Sequence, residues 1–338
     1  MDRPDNLDAL YTSKNLEDII NFYNKFKTAE ELIDWSKNRQ RGRAKIRTVK
    51  GKTDIVVVIP TADIHGEYAE NCKNNVFKGQ QIVFVESGKN DIYFNYARNV
   101  NIGLKYALKY KPNWIILSND DVYRIDNISL LKKNLLNLDN KMYDTVYIRP
   151  DPGFYHSNLV GIVKMSKLAK KLKTVIARDS RDRFAEKLRL DLIRRFNLKY
   201  QVRSGEKMPY KNKLFSFFSK LEYRPIEKWR NFGDFAIFSP MFIENAKGKP
   251  FDEIFLNGGE DYDLSKRVFD GGKWINIDFR IGSVGGGTFK KESKRTVVKN
   301  GAVINWPDEN HEKGNTRKLQ DVFNILYFDY KYRFTQKR

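Results

Sequence analysis

The chain has 338 residues, a formal net charge of +21, and apolar and aromatic fractions of 41% and 14%. That composition excludes global disorder and suits one large α/β domain with additions, or two small domains. The single cysteine, Cys72, excludes an intrachain disulfide and a cysteine-cluster metal centre, so a bound divalent ion must use oxygen ligands or His65, His156 or His311.

Charge narrows the partners. A surplus this large implies something anionic: a phosphate-bearing substrate, an acidic membrane or nucleic acid. It is uneven, because Lys164 to Arg230 hold 21 lysines and arginines against 7 acids. No apolar run reaches the roughly 18–20 residues that span a bilayer. The opening Met1-Asp2-Arg3-Pro4 lacks the layout of a secretion signal. With one cysteine, this gives the expectation of a cytoplasmic protein.

Along the chain, Asn15 to Tyr23 and Thr28 to Trp35 read as two capped amphipathic helices, an N-terminal extension (1–50) separate from the core. The basic run Lys37 to Lys52 reads as a solvated linker. From residue 54 the pattern changes. Asp54–Pro60, Gln81–Glu86 and Trp114–Leu117 are continuously apolar strands, and Tyr96–Tyr110 carries apolar residues at helical spacing. Such strands with helical crossovers predict a parallel sheet covered on both faces, which binds ligands at the carboxyl ends of its strands. Those ends carry Thr61 and Asp63, then Glu86 and Ser87, then Asn119, Asp120 and Asp121.

Adjacent carboxylates just past a buried strand are costly unless a cation meets them. The same residues also suit a helix cap before Val122 to Leu131, and this motif alone leaves both readings open. Two basic amphipathic helices follow, on Leu168–Ile176 and Phe184–Phe196, then an aromatic basic patch at Lys213–Phe218. This insert (166–230) reads either as a helical subdomain with solvated charges or as a surface for anionic lipid. The α/β core resumes at Phe232–Phe238, and from Arg317 onward a C-terminal helix is expected.

The second chemical motif is Gly258-Gly259-Glu260-Asp261, ahead of Tyr262-Asp263-Leu264. Its glycines let backbone approach a ligand, and its acids open a helix whose positive end favours carboxylate charge. Simple helix-start charge accounts for the acids but not for the glycine pair.

Five pieces in order carry a resemblance: Ile59-Pro60-Thr61, Glu86-Ser87-Gly88, Ala97-Arg98-Asn99 with Gly103, Asn119-Asp120-Asp121, and Phe251-Asp252-Glu253 leading to Glu260-Asp261-Tyr262-Asp263-Leu264. Over roughly 54–165 and 230–290 the chain resembles the family 2 glycosyltransferases of the GT-A fold. That resemblance implies a Rossmann-like mixed, mostly parallel sheet with helices on both faces. The nucleotide-sugar half would span 51–165 and the acceptor half 231–300, with a helical tail at 301–338. It implies that Pro60, Thr61, Asp63, Glu86 and Arg98, with Asn119 and Asp120, line a UDP- or GDP-linked donor. Asp121, helped by Asp120, would hold Mn²⁺ or Mg²⁺, and Asp261 would be the general base, with Glu260 beside it at the acceptor.

Two departures stand out. Asn119 occupies the place of the first acid of the metal element. Ser283 lies where a late histidine is expected, which leaves His311 as the only downstream histidine. As a lone residue in a polar stretch, His311 suits a surface position as well as ligation. His65 follows the first strand, near where a nucleotide would lie, and His156 reads as a loop residue. The expected activity is metal-assisted, inverting sugar transfer to a glycan, lipid or protein hydroxyl, in the cytoplasm or on the inner membrane face. A basic nucleic-acid-binding protein is the competing class, but no zinc-finger spacing, RNP-type motif or P-loop supports it, so nucleic acid is not expected as a partner. A sugar-phosphate nucleotidyltransferase would carry a Gly-rich, Arg-containing loop after the first strand, where Pro60-Thr61-Ala62-Asp63 stands.

Overall fold

The computed structural model describes residue 10, residues 16–89, 91, 93–148, 159–164, 180–204, 225–283, 295–299, 302–306 and 311–332. Its centre is strand β2 (Lys52–Thr61), buried from Ile55 to Thr61. It pairs in parallel with β3 (Gln80–Glu86) on one side and β4 (Trp114–Ser118) on the other. Continuous β-branched runs form these strands because both faces are covered. Alternate residues of β2 serve two cores. Ile55, Val57 and Ile59 join Phe77, Phe84 and Phe235, whereas Val56 and Val58 meet Val100 and Leu104 of α4 (Tyr96–Ala107). Gly103 lets α4 lie close, since a Cβ there would stand 2.5 Å from Val58 Cγ1 and 2.7 Å from Val85 Cγ2.

The sheet has seven strands, in the order β1-β3-β2-β4-β10-β6-β11. The edge strand β1 (Lys45–Val49) runs antiparallel to β3. β10 (Phe235–Phe238) runs antiparallel to both β4 and β6 (Thr145–Ile148), and β11 (Trp274–Ile277) is parallel to β6. The fold is therefore mixed α/β, with parallel strands at its core and helices packed on them. Among the described residues, no helix is long and apolar enough to cross a membrane.

Several expectations change. The stretch 37–52, read as a linker, supplies β1. The N-terminal helices α1 (Leu16–Asn24) and α2 (Ala29–Asn38) are not separate from the body. They share a core with α6 (Ser180–Arg195), β7 (Leu159–Lys164), β9 (Pro225–Arg230) and α9 (His311–Tyr332), through Tyr23, Leu190, Ile162, Trp229 and Phe323 among others. Tyr23 Oη donates to the Leu319 carbonyl at 2.7 Å. Large aromatics drive this union: Trp229 stacks on Phe328 with centroids 5.9 Å apart.

The helix expected from Val122 gives way to a short strand, β5 (Val122–Ile125), which pairs with β12 (Ile281–Ser283). The next helix, α5 (Ile128–Leu136), starts later and is capped by Asn127 rather than by Asn119 or an aspartate. The helix-cap reading of Asn119–Asp121 thus fails. In the basic insert, α6 realises the second expected helix, but β8 (Tyr200–Ser204) and β9 flank β7 in a three-stranded sheet. The helix expected on 168–176 and the patch 213–218 lie outside the described residues, as does His156. α9 begins at His311, earlier than Arg317, after the hairpin of β13 (Arg295–Lys299) and β14 (Ala302–Trp306).

Candidate active site

The ends of β2, β3 and β4 meet at one sheet edge, with Thr61 opposite Glu86 in register. Pro60 and Thr61 are buried there. Thr61 Oγ1 donates to Asp120 Oδ2 at 2.8 Å, tying the first strand to the Asn119–Asp121 turn. Asp63 Oδ2 lies 2.7 Å from Lys89 Nζ, and Oδ1 accepts from the His65 amide at 2.9 Å. Lys89, and then the His65 N–H, hold the Asp63 carboxyl below the ordinary range. Glu86 accepts from the Ile64 amide at 3.2 Å and lies 3.4 Å from Arg47 Nε of β1. Thr61, Asp63 and Glu86 therefore form one polar flank. The His65 ring is exposed, 3.9 Å from Glu70.

Arg98 sits differently from its expected role. Its guanidinium donates to the Gly42 carbonyl, and its backbone N–H is capped by Asn95 Oδ1 at 2.8 Å. It fastens the segment before β1 to the start of α4.

Asn119 is the hub of the second strand end. Its side-chain carbonyl accepts from Tyr96 Oη at 2.9 Å, and its amide donates to Asp234 Oδ1 at 2.9 Å. The Ser283 hydroxyl donates to Asp234 Oδ2 at 2.5 Å and stands 3.4 Å from Asp121 Oδ1. Asp120 and Asp121 are both buried, at 8% and 3% exposure. The strand β5 explains the turn: it redirects the chain so that β12 delivers Ser283 beside Asp121.

The Gly258-Gly259-Glu260-Asp261 motif opens α8 (Glu260–Gly271), with Gly259 at the N-cap in the left-handed region, φ 87°. Its acids separate by face. Asp263 is fully buried on the side of α9, bound by Arg267 at 3.1 Å, Lys331 at 2.7 Å and Tyr332 Oη at 2.9 Å. Asp252 shares Lys331 at 2.7 Å and accepts from Tyr327 Oη at 2.8 Å. Those two carboxylates hold the fold. Asp261 instead accepts from Asn231 Nδ2 at 3.1 Å, and Ser265 Oγ orients that amide by donating to its oxygen at 2.8 Å. Burial pushes the Asp261 carboxyl up, Asn231 opposes this, and Asp234 adds to the rise.

Tyr96 joins the two motifs: its hydroxyl donates to Asn119 at 2.9 Å, and its amide donates to Asn257 Oδ1, just ahead of the glycine pair, at 2.8 Å. Burial raises its phenol well above the ordinary value, and the charges of Glu260, Asp234, Asp261 and Asp121 raise it further. Four carboxylates from three distant stretches thus act on one hydroxyl. Asp234, Tyr96 and Asn231 were not singled out from sequence. Asn231-Phe232-Gly233-Asp234, a polar break before an apolar strand, was the available signal for two of them.

The donor set that could meet a cation is all oxygen: Asp121 and Asp120, with the carbonyl of Asn119 near them. Among the described residues, no three His, Cys, Asp or Glu side chains form a ready metal cage. One or two carboxylates with no nitrogen or sulfur beside them are a donor set of the kind that suits Mg²⁺ or Mn²⁺, ions that complete their shell with further oxygens. His311 is the first residue of α9, and its side chain falls outside the described structure. No protein-family model matches this sequence, and no curated protein matches it.

Proposed function

We propose that the chain is an inverting, metal-assisted glycosyltransferase of family 2 and the GT-A type, moving a sugar from a nucleoside-diphosphate donor to an acceptor hydroxyl. The observation that carries this is the convergence of the Asn119–Asp121 turn and the Glu260–Asp261 helix start around Tyr96 and Asp234. The mixed sheet, with its parallel strands ending at that edge, suits the resemblance read from the sequence.

In this reading Thr61, Asp63 and Glu86 line the nucleotide, and Asp121 with Asp120 would hold Mg²⁺ or Mn²⁺. When bound, that ion neutralises charge on the departing diphosphate. Asp261 takes the proton of the acceptor hydroxyl while that oxygen forms a bond to the anomeric carbon. The bond from that carbon to the diphosphate oxygen breaks, and the nucleoside diphosphate leaves with the electron pair. The raised affinity of Asp261 for a proton makes it the stronger base, and Asn231 keeps it aimed. Glu260, buried beside it, borders the acceptor. The setting proposed is the cytoplasm, with the basic insert against anionic lipid at the inner membrane face. Failure to co-sediment with anionic liposomes at low salt would remove that last element.

A panel of UDP- and GDP-sugars, assayed for transfer or hydrolysis with Mn²⁺, tests the reading. Donor turnover that disappears in Asp121→Asn and Asp261→Asn is expected. Full turnover in either variant overturns the role assigned to that residue.

A further inference from the structure

The loop that delivers Asp261 has little regular structure of its own, so its backbone groups need outside partners. Three consecutive carbonyls, those of Glu253, Ile254 and Phe255, all receive donors from Arg39, beside Asn95 Nδ2, which also donates to the first at 3.3 Å and the third at 3.1 Å, and Arg41, which reaches the first at 3.3 Å. Arg39 Nη2 donates to Glu253 at 3.0 Å and to Phe255 at 2.8 Å, and Nη1 donates to Ile254 at 2.9 Å. Arg39 as a whole is 8% exposed. Ser36 Oγ adds a bond to the Ile254 carbonyl at 2.8 Å, so both contacts come from the end of α2 and the residue after it. The guanidinium offers five donors in a fixed planar fork, which suits carbonyls spread along the chain; a lysine ammonium has three donors on one compact charge and a different geometry.

Just beyond these carbonyls the chain is pinned again, first at Leu256, whose amide donates to Asn324 Oδ1 at 2.8 Å and whose carbonyl accepts from Asn324 Nδ2 at 3.2 Å. Asn257 holds a left-handed conformation, φ 48°, and exchanges bonds with the start of α4: its Oδ1 accepts from the Tyr96 amide at 2.8 Å and its Nδ2 donates to Phe94 at 3.0 Å. Gly258 and Gly259 follow, with no side chains to brace them. The position of Asp261 against Asn231 therefore depends on where the 253–257 segment is anchored.

We propose that Arg39 is a positioning residue for the Asp261 base, so that the N-terminal extension is part of the catalytic machinery rather than an accessory to it. This rests on the reading of Asp261 as the base. Its mark is a split: losing Arg39 lowers kcat and disturbs the acid limb of the pH profile while leaving KM for the donor in place, because the Thr61–Glu86 flank does not touch it.

The test compares the 338-residue chain with Arg39→Ala, Arg39→Lys and, as a control in the same extension, Tyr23→Phe, which loses the bond to Leu319. UDP-glucose and GDP-mannose hydrolysis with Mn²⁺ gives kcat and KM, and amide hydrogen exchange follows the segment 256–262 without any ligand. Expected are a fall in kcat of tenfold or more for Arg39→Ala, a KM within twofold, partial rescue by millimolar guanidinium, and faster exchange at 256–262 with 55–59 and 114–118 unchanged. Arg39→Lys should keep the fold and show the same split, which covers an alanine variant that fails to fold. Unchanged kcat, a loss matching that of Tyr23→Phe with no split, or unchanged exchange at 256–262 overturns the proposal. If the wild-type chain hydrolyses neither donor, the activity reading suffers, while the exchange result still decides whether Arg39 positions the loop.

Discussion

Two aspartates on one helix start, Asp261 and Asp263, should respond in opposite ways to the same substitution. Asp263 is fully buried and faces Arg267, Lys331 and Tyr332. Replacing it by Asn removes the negative charge that three partners share. Breaking a buried pair costs ~3–5 kcal/mol. Here Lys331 keeps Asp252 and Arg267 is 41% exposed, so the low end applies, about 3 kcal/mol. For a chain of 338 residues that is a fall in Tm of roughly 4 °C.

Asp261→Asn should not destabilise. The folded state raises its proton affinity above the unfolded value, so the ionised form opposes folding, and stability from this group is lost as pH rises through the folded pKa. The Asn variant escapes that loss. Its Tm relative to wild type should climb as pH rises above the ordinary carboxylate range, while its turnover collapses. Thermal melts followed by circular dichroism at several pH values measure the first, and donor hydrolysis with Mn²⁺ measures the second. Equal losses in the two variants, or a silent Asp263→Asn, would refute the division into a structural and a working carboxylate.

Other expectations concern single contacts. Gly259→Ala places a Cβ 3.3 Å from the Phe255 ring at a φ of 87°, so a loss of about 1–2 kcal/mol in urea titration is expected, with lower turnover. Tyr96→Phe leaves the Asn119 carbonyl without its 2.9 Å donor, and should cost about 1 kcal/mol in the same titration. Burial, then Asp120 and Asp121, push the Cys72 thiol far up, so the native protein should resist Ellman's reagent at pH 8 and release one thiol only on unfolding.

The readable parts of the sequence were those where burial leaves no alternative. β2, β3 and β4 are covered on both faces, so their runs are apolar without interruption, and polar residues at their ends have no packing role to explain them. The glycine pair before Glu260 was legible for the same reason. β5 was not, because four residues after two aspartates carry no pattern, and its partner β12 lies far along the chain. Asp261 and Asp263 look alike in sequence, yet two helical positions apart they point to different faces, one to the site and one to α9. Asp234 resembled any turn residue before a strand. Arg39 vanished into a basic run, because its partners are backbone carbonyls, which leave no trace in side-chain spacing.

If this carboxylate-lined sheet edge transfers sugar from a nucleotide donor with Asp261 as base, turnover of the best donor in the UDP- and GDP-sugar panel should depend on Asp261 from pH 5 to 9. Wild type should show Mn²⁺-dependent turnover that falls on the acid side at a pH above the ordinary carboxylate range, and Asp261→Asn should bind the donor without turning it over. A wild-type chain with no turnover of any donor, or an Asp261→Asn variant with an unchanged rate, would contradict this reading.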